Sequence, residues 1–146
     1  MNTATRSSRT EPGTGRAEAV VLYDADCGFC RWTLGKVLAW DRRGSLRPVP
    51  IASDEGTRLL ADMPREERLA SWHLVRDGRR WSAGAAFPPL LSLLPGGTLP
   101  GWLSARMPRL SEAGYGFVAR NRGFFGRLIS DGARRRADRR IRLRSG

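Results

Sequence analysis

The stretch Ala19-Val20-Val21-Leu22-Tyr23-Asp24-Ala25-Asp26-Cys27-Gly28-Phe29-Cys30, continuing through Arg31 to Trp40, decides the fold. Its first five residues form a short apolar run without polar alternation, the pattern of a strand covered on both faces and therefore central in its sheet. From Phe29 to Trp40 the period changes. Phe29, Trp32, Thr33, Val37 and Trp40 recur at spacings of three and four, which predicts an amphipathic helix. Asp26 is the expected cap at its start, and Asp41-Arg42-Arg43-Gly44 ends it, with Gly44 available for a left-handed turn. The two cysteines fall where strand gives way to helix.

Working outward, Leu46-Arg47-Pro48-Val49-Pro50-Ile51 reads as a second extended segment. Its two prolines suit an edge strand, placed beside the first strand by a right-handed crossover. A weaker helical stretch, 54–61, leads into a polar connection over 62–68. The clearest hairpin comes next: Trp72-His73-Leu74-Val75-Arg76, then Asp77-Gly78, then Arg79-Arg80-Trp81-Ser82. Asp-Gly supplies the positive φ angles that a tight hairpin turn demands. Residues 84–94 predict a small apolar helix with Pro88 and Pro89 in its first turn, stopped by Pro95-Gly96-Gly97. Residues 99–106 and 109–121 predict further helices, the second with Leu110, Ala113, Phe117 and Val118 on one side. The fold class is therefore α/β: a small mixed sheet, made of a βαβ unit plus a β-hairpin, flanked by helices and extended by C-terminal helical sequence. This is the thioredoxin arrangement.

Cysteines at i and i+3 in the first turn of a helix lie close enough to close a short disulfide and reopen it without large backbone movement. Cys27 faces the unpaired amides at the positive end of the helix, which stabilise a thiolate. It is the expected nucleophile, and Cys30, one turn inward and less exposed, the expected resolving thiol. Arg31 favours the thiolate, whereas Asp24 and Asp26 oppose it if ionised. Besides the capping role of Asp26, Asp24 is expected to organise the loop or handle a proton. Phe29, held between the cysteines, is expected to shield the sulfurs and offer an apolar contact, or simply to pack.

The segment Val20 to Cys30 resembles the signature of the DCC family of thiol-disulfide oxidoreductases. The likeness extends to Asp41-Arg42-Arg43-Gly44, the Asp77-Gly78 hairpin, Trp81-Ser82-Ala83-Gly84-Ala85-Ala86 and Tyr115-Gly116-Phe117-Val118-Ala119-Arg120-Asn121-Arg122, in that order, covering about residues 19–126. It implies a thioredoxin-like fold with Cys27 and Cys30 as the redox pair. Thioredoxins at large place a cis-proline before the third strand, facing the dithiol; here Ser71-Trp72 occupies that approach.

A chain of 146 residues suits one domain. Residues 1–18 read as a flexible leader without the apolar run of a secretory signal, 19–126 as the domain, and 127–146 as an Arg-rich tail. The most apolar window, 81–94, is broken by prolines and shorter than the roughly 20 residues that span a bilayer. A cytoplasmic protein is expected. Two cysteines exclude a disulfide scaffold. Against 14 acidic residues stand 26 basic ones, giving +12, and about half of that excess lies in residues 127–146, which carry eight Arg and two Asp. The run Arg134 to Arg144 reads first as a solvated tail; contact with nucleic acid or an anionic surface is the alternative.

Two other classes compete with redox exchange: a basic nucleic-acid- or anion-binding module, and a metal-binding CxxC protein. Structural zinc and iron–sulfur sites take four ligands, and this chain has two Cys and one His. A site shared across a dimer, or copper(I) on two thiolates, is what the metal alternative requires. His73, mid-strand, reads as a packed or hydrogen-bonded residue outside the site, and the five tryptophans as mostly core or half-buried. The expectation is thiol-disulfide exchange with a disulfide-containing protein or small thiol, with no bound cofactor and no metal.

Overall fold

The computed structural model describes residues 19–145; the expected leader, 1–18, lies outside them. Strand β1 (Ala19–Tyr23) is buried along its whole length. It runs parallel to β2 (Leu46–Pro50), with Val21 opposite Pro48, and antiparallel to β3 (His73–Arg76), with Val21 opposite Leu74. Strand β4 (Arg79–Ser82) pairs with β3, giving the order β2-β1-β3-β4. The proline-bearing strand is thus at the edge, where its missing donors face no neighbour. At the hairpin, Asp77 and Gly78 have φ of 50° and 72°, the paired positive values of a type I′ turn.

Because side chains alternate along a strand, β1 supplies both cores. Val20 and Leu22 meet Val49, Ile51 and Leu60 on one face. Ala19, Val21 and Tyr23 meet Leu34, Leu38, Leu74, Leu90 and Ile141 on the other. Leu34 and Leu38 come from α1 (Gly28–Trp40), which lies across that second face.

Helix α2 (Asp54–Leu59) matches its expected stretch, capped by the Ser53 hydroxyl on the Gly56 amide at 3.0 Å. The expected polar connection over 62–68 is partly helical instead: α3 spans Arg65–Ala70. Pro64 fixes the entering backbone, and Glu66 and Glu67 complement the helix's positive end. The expected helix over 84–94 is two pieces, a 3₁₀ turn at Ala83–Ala86 and α4 at Phe87–Leu93. Pro88 and Pro89 do sit in the first turn of α4. Helices α5 (Thr98–Arg106) and α6 (Pro108–Arg120) come after it. A side chain on Gly84 would stand 2.9 Å from the Ser111–Glu112 backbone, so that glycine lets α6 cross over the 3₁₀ turn. Of the residues expected on one side of α6, Leu110 and Phe117 are exposed. Trp40 and Trp102 are likewise exposed rather than core.

The largest difference is at the C-terminus. After α7 (Arg122–Arg127), residues Asp131–Arg144 form α8, not a solvated tail. Spaced four apart, Ala137 and Ile141 are 3% and 5% exposed, and Ile141 joins the core of β1 and α1. The approach to α1 is close: a Cβ on Gly35 would stand 2.5 Å from that of Ala137. Arginines cover the outer side of this helix, so its apolar contribution, two residues four apart, is hidden among charges in the sequence. Asp41, fully buried, ties α8 to the start of β2. It accepts the Ser45 and Leu46 amides at 3.1 and 2.9 Å and the Arg144 guanidinium at 3.2 Å.

Removing that carboxylate leaves two buried amides without an acceptor and the Arg144 guanidinium with only the carbonyl of residue 41, so Asp41→Ala should lower unfolding free energy by about 3 kcal/mol. Gly35→Val should destabilise by about 1–3 kcal/mol through overpacking against Ala137. Urea denaturation of both variants checks the two contacts; wild-type midpoints in both would refute the docking of α8 on α1.

Candidate redox site

β1 delivers the chain at Tyr23 to the rim of the sheet, where Asp24-Ala25-Asp26 turns it into α1. Asp24 organises this turn: its Oδ1 accepts the Asp26 amide at 3.0 Å, and its carbonyl accepts the Cys27 amide at 3.4 Å. Asp26 is exposed and is not the cap. Because α1 begins at Gly28, Cys27 takes the capping position, in extended backbone, and its Sγ accepts the Cys30 amide at 3.2 Å. The sulfur thus does what an Asp or Ser oxygen does at other helix starts, and it gains acceptor strength when ionised.

Cys27 and Cys30 are joined as a disulfide, with Cα atoms 5.2 Å apart. Both are half-buried, and they differ in surroundings. Cys27 opens on a polar groove of about 440 Å³ lined by Asp24, Asp26, Arg122, Arg127 and Arg134. Cys30 forms part of the wall of an apolar cavity of about 510 Å³ together with Val21, Leu34, Trp72, Leu90 and Val118. Phe29 borders both spaces. Its ring stacks at 5.8 Å on Phe125 of α7 and 6.1 Å on Trp32. Arg31 Nε pairs with Asp138 of α8 at 3.4 Å, tying the helix that carries the cysteines to the C-terminal one.

The basic side of the groove leaves no mark in the sequence around the cysteines. Arg122 and Arg127 come from α7, and Arg134 from α8, where it donates to the Gly126 carbonyl. They lie about a hundred positions from Cys27, and only Arg122 falls in a stretch that resembles a family landmark. Ser71 and Trp72, at the approach to β3, line the apolar cavity. The Trp72 amide donates to the Tyr115 hydroxyl at 3.2 Å, and burial raises the pKa of that phenol.

His73 does not join the cysteines. It is fully buried, with Nδ1 2.7 Å from the Ser82 hydroxyl and Nε2 3.0 Å from the Arg68 carbonyl. The carbonyl takes a proton from Nε2, which leaves Nδ1 to accept from Ser82. Among the described residues no group of three or more His, Cys, Asp or Glu gathers around a metal-sized space, and no helix is long and apolar enough to cross a membrane.

A four-stranded mixed sheet, a helix springing from the end of its central parallel strand and a CxxC disulfide in that helix's first turn define a thioredoxin-like dithiol/disulfide protein. More narrowly, the chain belongs to the family described as DCC1-like thiol-disulfide oxidoreductase, whose model matches residues 21–128. No curated protein and no solved structure matches it.

Burial holds His73 neutral and lowers its pKa below 6.5. In the unfolded chain it protonates near 6.5, so the unfolded state binds the extra proton first and stability falls as pH drops through that value. Stability curves between pH 7.5 and 5 should therefore lose part of their slope in His73→Gln, which does not titrate; an unchanged slope would show that the imidazole is not held neutral.

Proposed function

We propose that the chain exchanges its Cys27–Cys30 pair with a disulfide in a protein or small-thiol partner. In the reducing direction the Cys27 thiolate attacks one sulfur of the substrate disulfide, the other leaves as a thiolate that takes up a proton, and a mixed disulfide remains on Cys27. The Cys30 thiolate then attacks Cys27 Sγ, re-forming the internal disulfide and expelling the second substrate thiol. Oxidation of a dithiol partner is the same sequence reversed.

The observation that carries this reading is the Cys30 amide donating to Cys27 Sγ at the start of α1. That hydrogen bond and the positive helix end favour negative charge on the outer sulfur. Arg122, Arg127 and Arg134 line the groove beside it and add favourable potential, against the opposing charge of Asp24 and Asp26 on the same groove. Arg31 contributes at longer range, since its guanidinium is engaged with Asp138. Asp24 serves by shaping the turn that presents Cys27, and Asp26, exposed on the same groove, would exchange protons with the departing thiol. In a cytoplasmic setting the glutathione and thioredoxin pools would keep the pair largely as the dithiol, poised to reduce.

Cys30→Ser should accumulate mixed disulfides through Cys27, seen as an added mass removed by dithiothreitol, whereas Cys27→Ser should lose exchange. In the reduced protein, Cys27 should alkylate faster than Cys30 at neutral pH. Both single variants retaining wild-type insulin reduction would refute the division of roles.

A further inference from the structure

The cavity behind Cys30 opens to solvent past Leu69 and Leu110, which are exposed. At about 510 Å³ it is within the range of small-molecule sites, and covering its apolar wall with an apolar group is favourable. Its walls offer almost nothing polar. The Tyr115 hydroxyl already accepts the Trp72 amide, and the Ser111 hydroxyl is engaged by Ser104. Two charged side chains, Asp24 and Arg122, line this cavity and the groove at Cys27 alike. The Asp24 carboxylate accepts the Asp26 amide, whereas Arg122 has no ion-pair partner among the described residues, and neither does Arg127 on the groove. An unpaired cation therefore stands where the apolar space meets the outer sulfur.

Resting on the exchange reading, the geometry points to a substrate class: a disulfide or thiol carrying a bulky apolar arm and, close to the sulfur, a carboxylate. The arm enters the cavity past Phe29 and Cys30, the carboxylate meets Arg122, and the sulfur is left over Cys27. Exchange then proceeds by the same two attacks, with one S–S bond formed for each one broken and no further reactant. A small, highly polar disulfide without the apolar arm leaves the cavity empty and gains only the charge contact.

The binding half is tested without redox chemistry, by calorimetric titration of the oxidised full chain with 4-phenylbutyrate, butyrate and 4-phenylbutanol. Phenylbutyrate should bind at least about tenfold more tightly than butyrate, the worth of burying a phenyl ring. Gly114, on the cavity wall in α6, has open space where a Cβ would be. Gly114→Leu therefore plugs the mouth while favouring the helix, and should weaken phenylbutyrate about tenfold. Ala119→Phe plugs it from the next turn. Arg122→Ala should bring phenylbutyrate down to the affinity of phenylbutanol.

The exchange half compares the reduced protein's rates with the disulfides of 2-mercapto-3-phenylpropanoic acid and 2-mercaptopropanoic acid. The first should react at least about tenfold faster, and Gly114→Leu should bring that ratio close to one. No phenylbutyrate heat up to millimolar concentration, undiminished binding in both plugged variants, or equal rates with the two disulfides would overturn the substrate assignment alone. Inertness toward both disulfides would overturn the exchange reading and the assignment with it.

Discussion

Burial of β1 between two strands and two apolar layers is the constraint on which the rest of the structure depends. Every residue of Ala19–Tyr23 is inside, and alternation along that one strand serves both cores. A strand so fixed cannot slide by a residue without exchanging its two faces. Its end is therefore fixed too, and with it the three-residue turn that sets Cys27 at the mouth of α1. The Cys27–Cys30 pair inherits its position from the most rigidly specified element of the fold, which would keep it in register through the proposed exchange.

The C-terminal helices hold α1 from the other side. Ala137 and Ile141 press α8 against it, Gly35 permits the closeness, and Arg31–Asp138 and Arg144–Asp41 pin the two ends of the contact. The short α7 completes the setting by laying Phe125 on Phe29 and bringing Arg122 and Arg127 to the groove. Charge that is concentrated toward the end of the sequence is divided in space. Some arginines are structural, some line the groove at Cys27, and others on α8, such as Arg135 and Arg139, are exposed.

The sheet, the central place of its first strand with the second beside it at an edge, the hairpin turn and the cysteine pair are legible because each is written in local signals: an uninterrupted apolar run, prolines at an edge, Asp-Gly between two extended segments, and CxxC at a change of period. The cap is not, because Asp26 is a better intrinsic cap than cysteine; the turn instead engages the Asp26 amide with Asp24 and starts the helix one residue later. Helix α8 is hidden because two small apolar contacts among many arginines give no amphipathic stripe, and only α1's glycine makes them sufficient. The basic wall of the groove and the apolar cavity depend on contacts between segments about a hundred residues apart, for which the sequence holds no periodic mark. Leu110 and Phe117 show the opposite failure, a true helical stripe that the fold leaves outside.

Reversible, two-electron coupling of Cys27 and Cys30 is the property from which the whole functional reading derives. Equilibrating the full chain across a graded series of thiol–disulfide buffers, alkylating, and weighing the intact protein measures it directly. A single transition is expected in which both alkyl groups are gained together, with the oxidised-to-reduced ratio changing tenfold per roughly 30 mV and the same curve traced from either side. Singly alkylated protein persisting across the series, or curves that differ with the direction of approach, would contradict it.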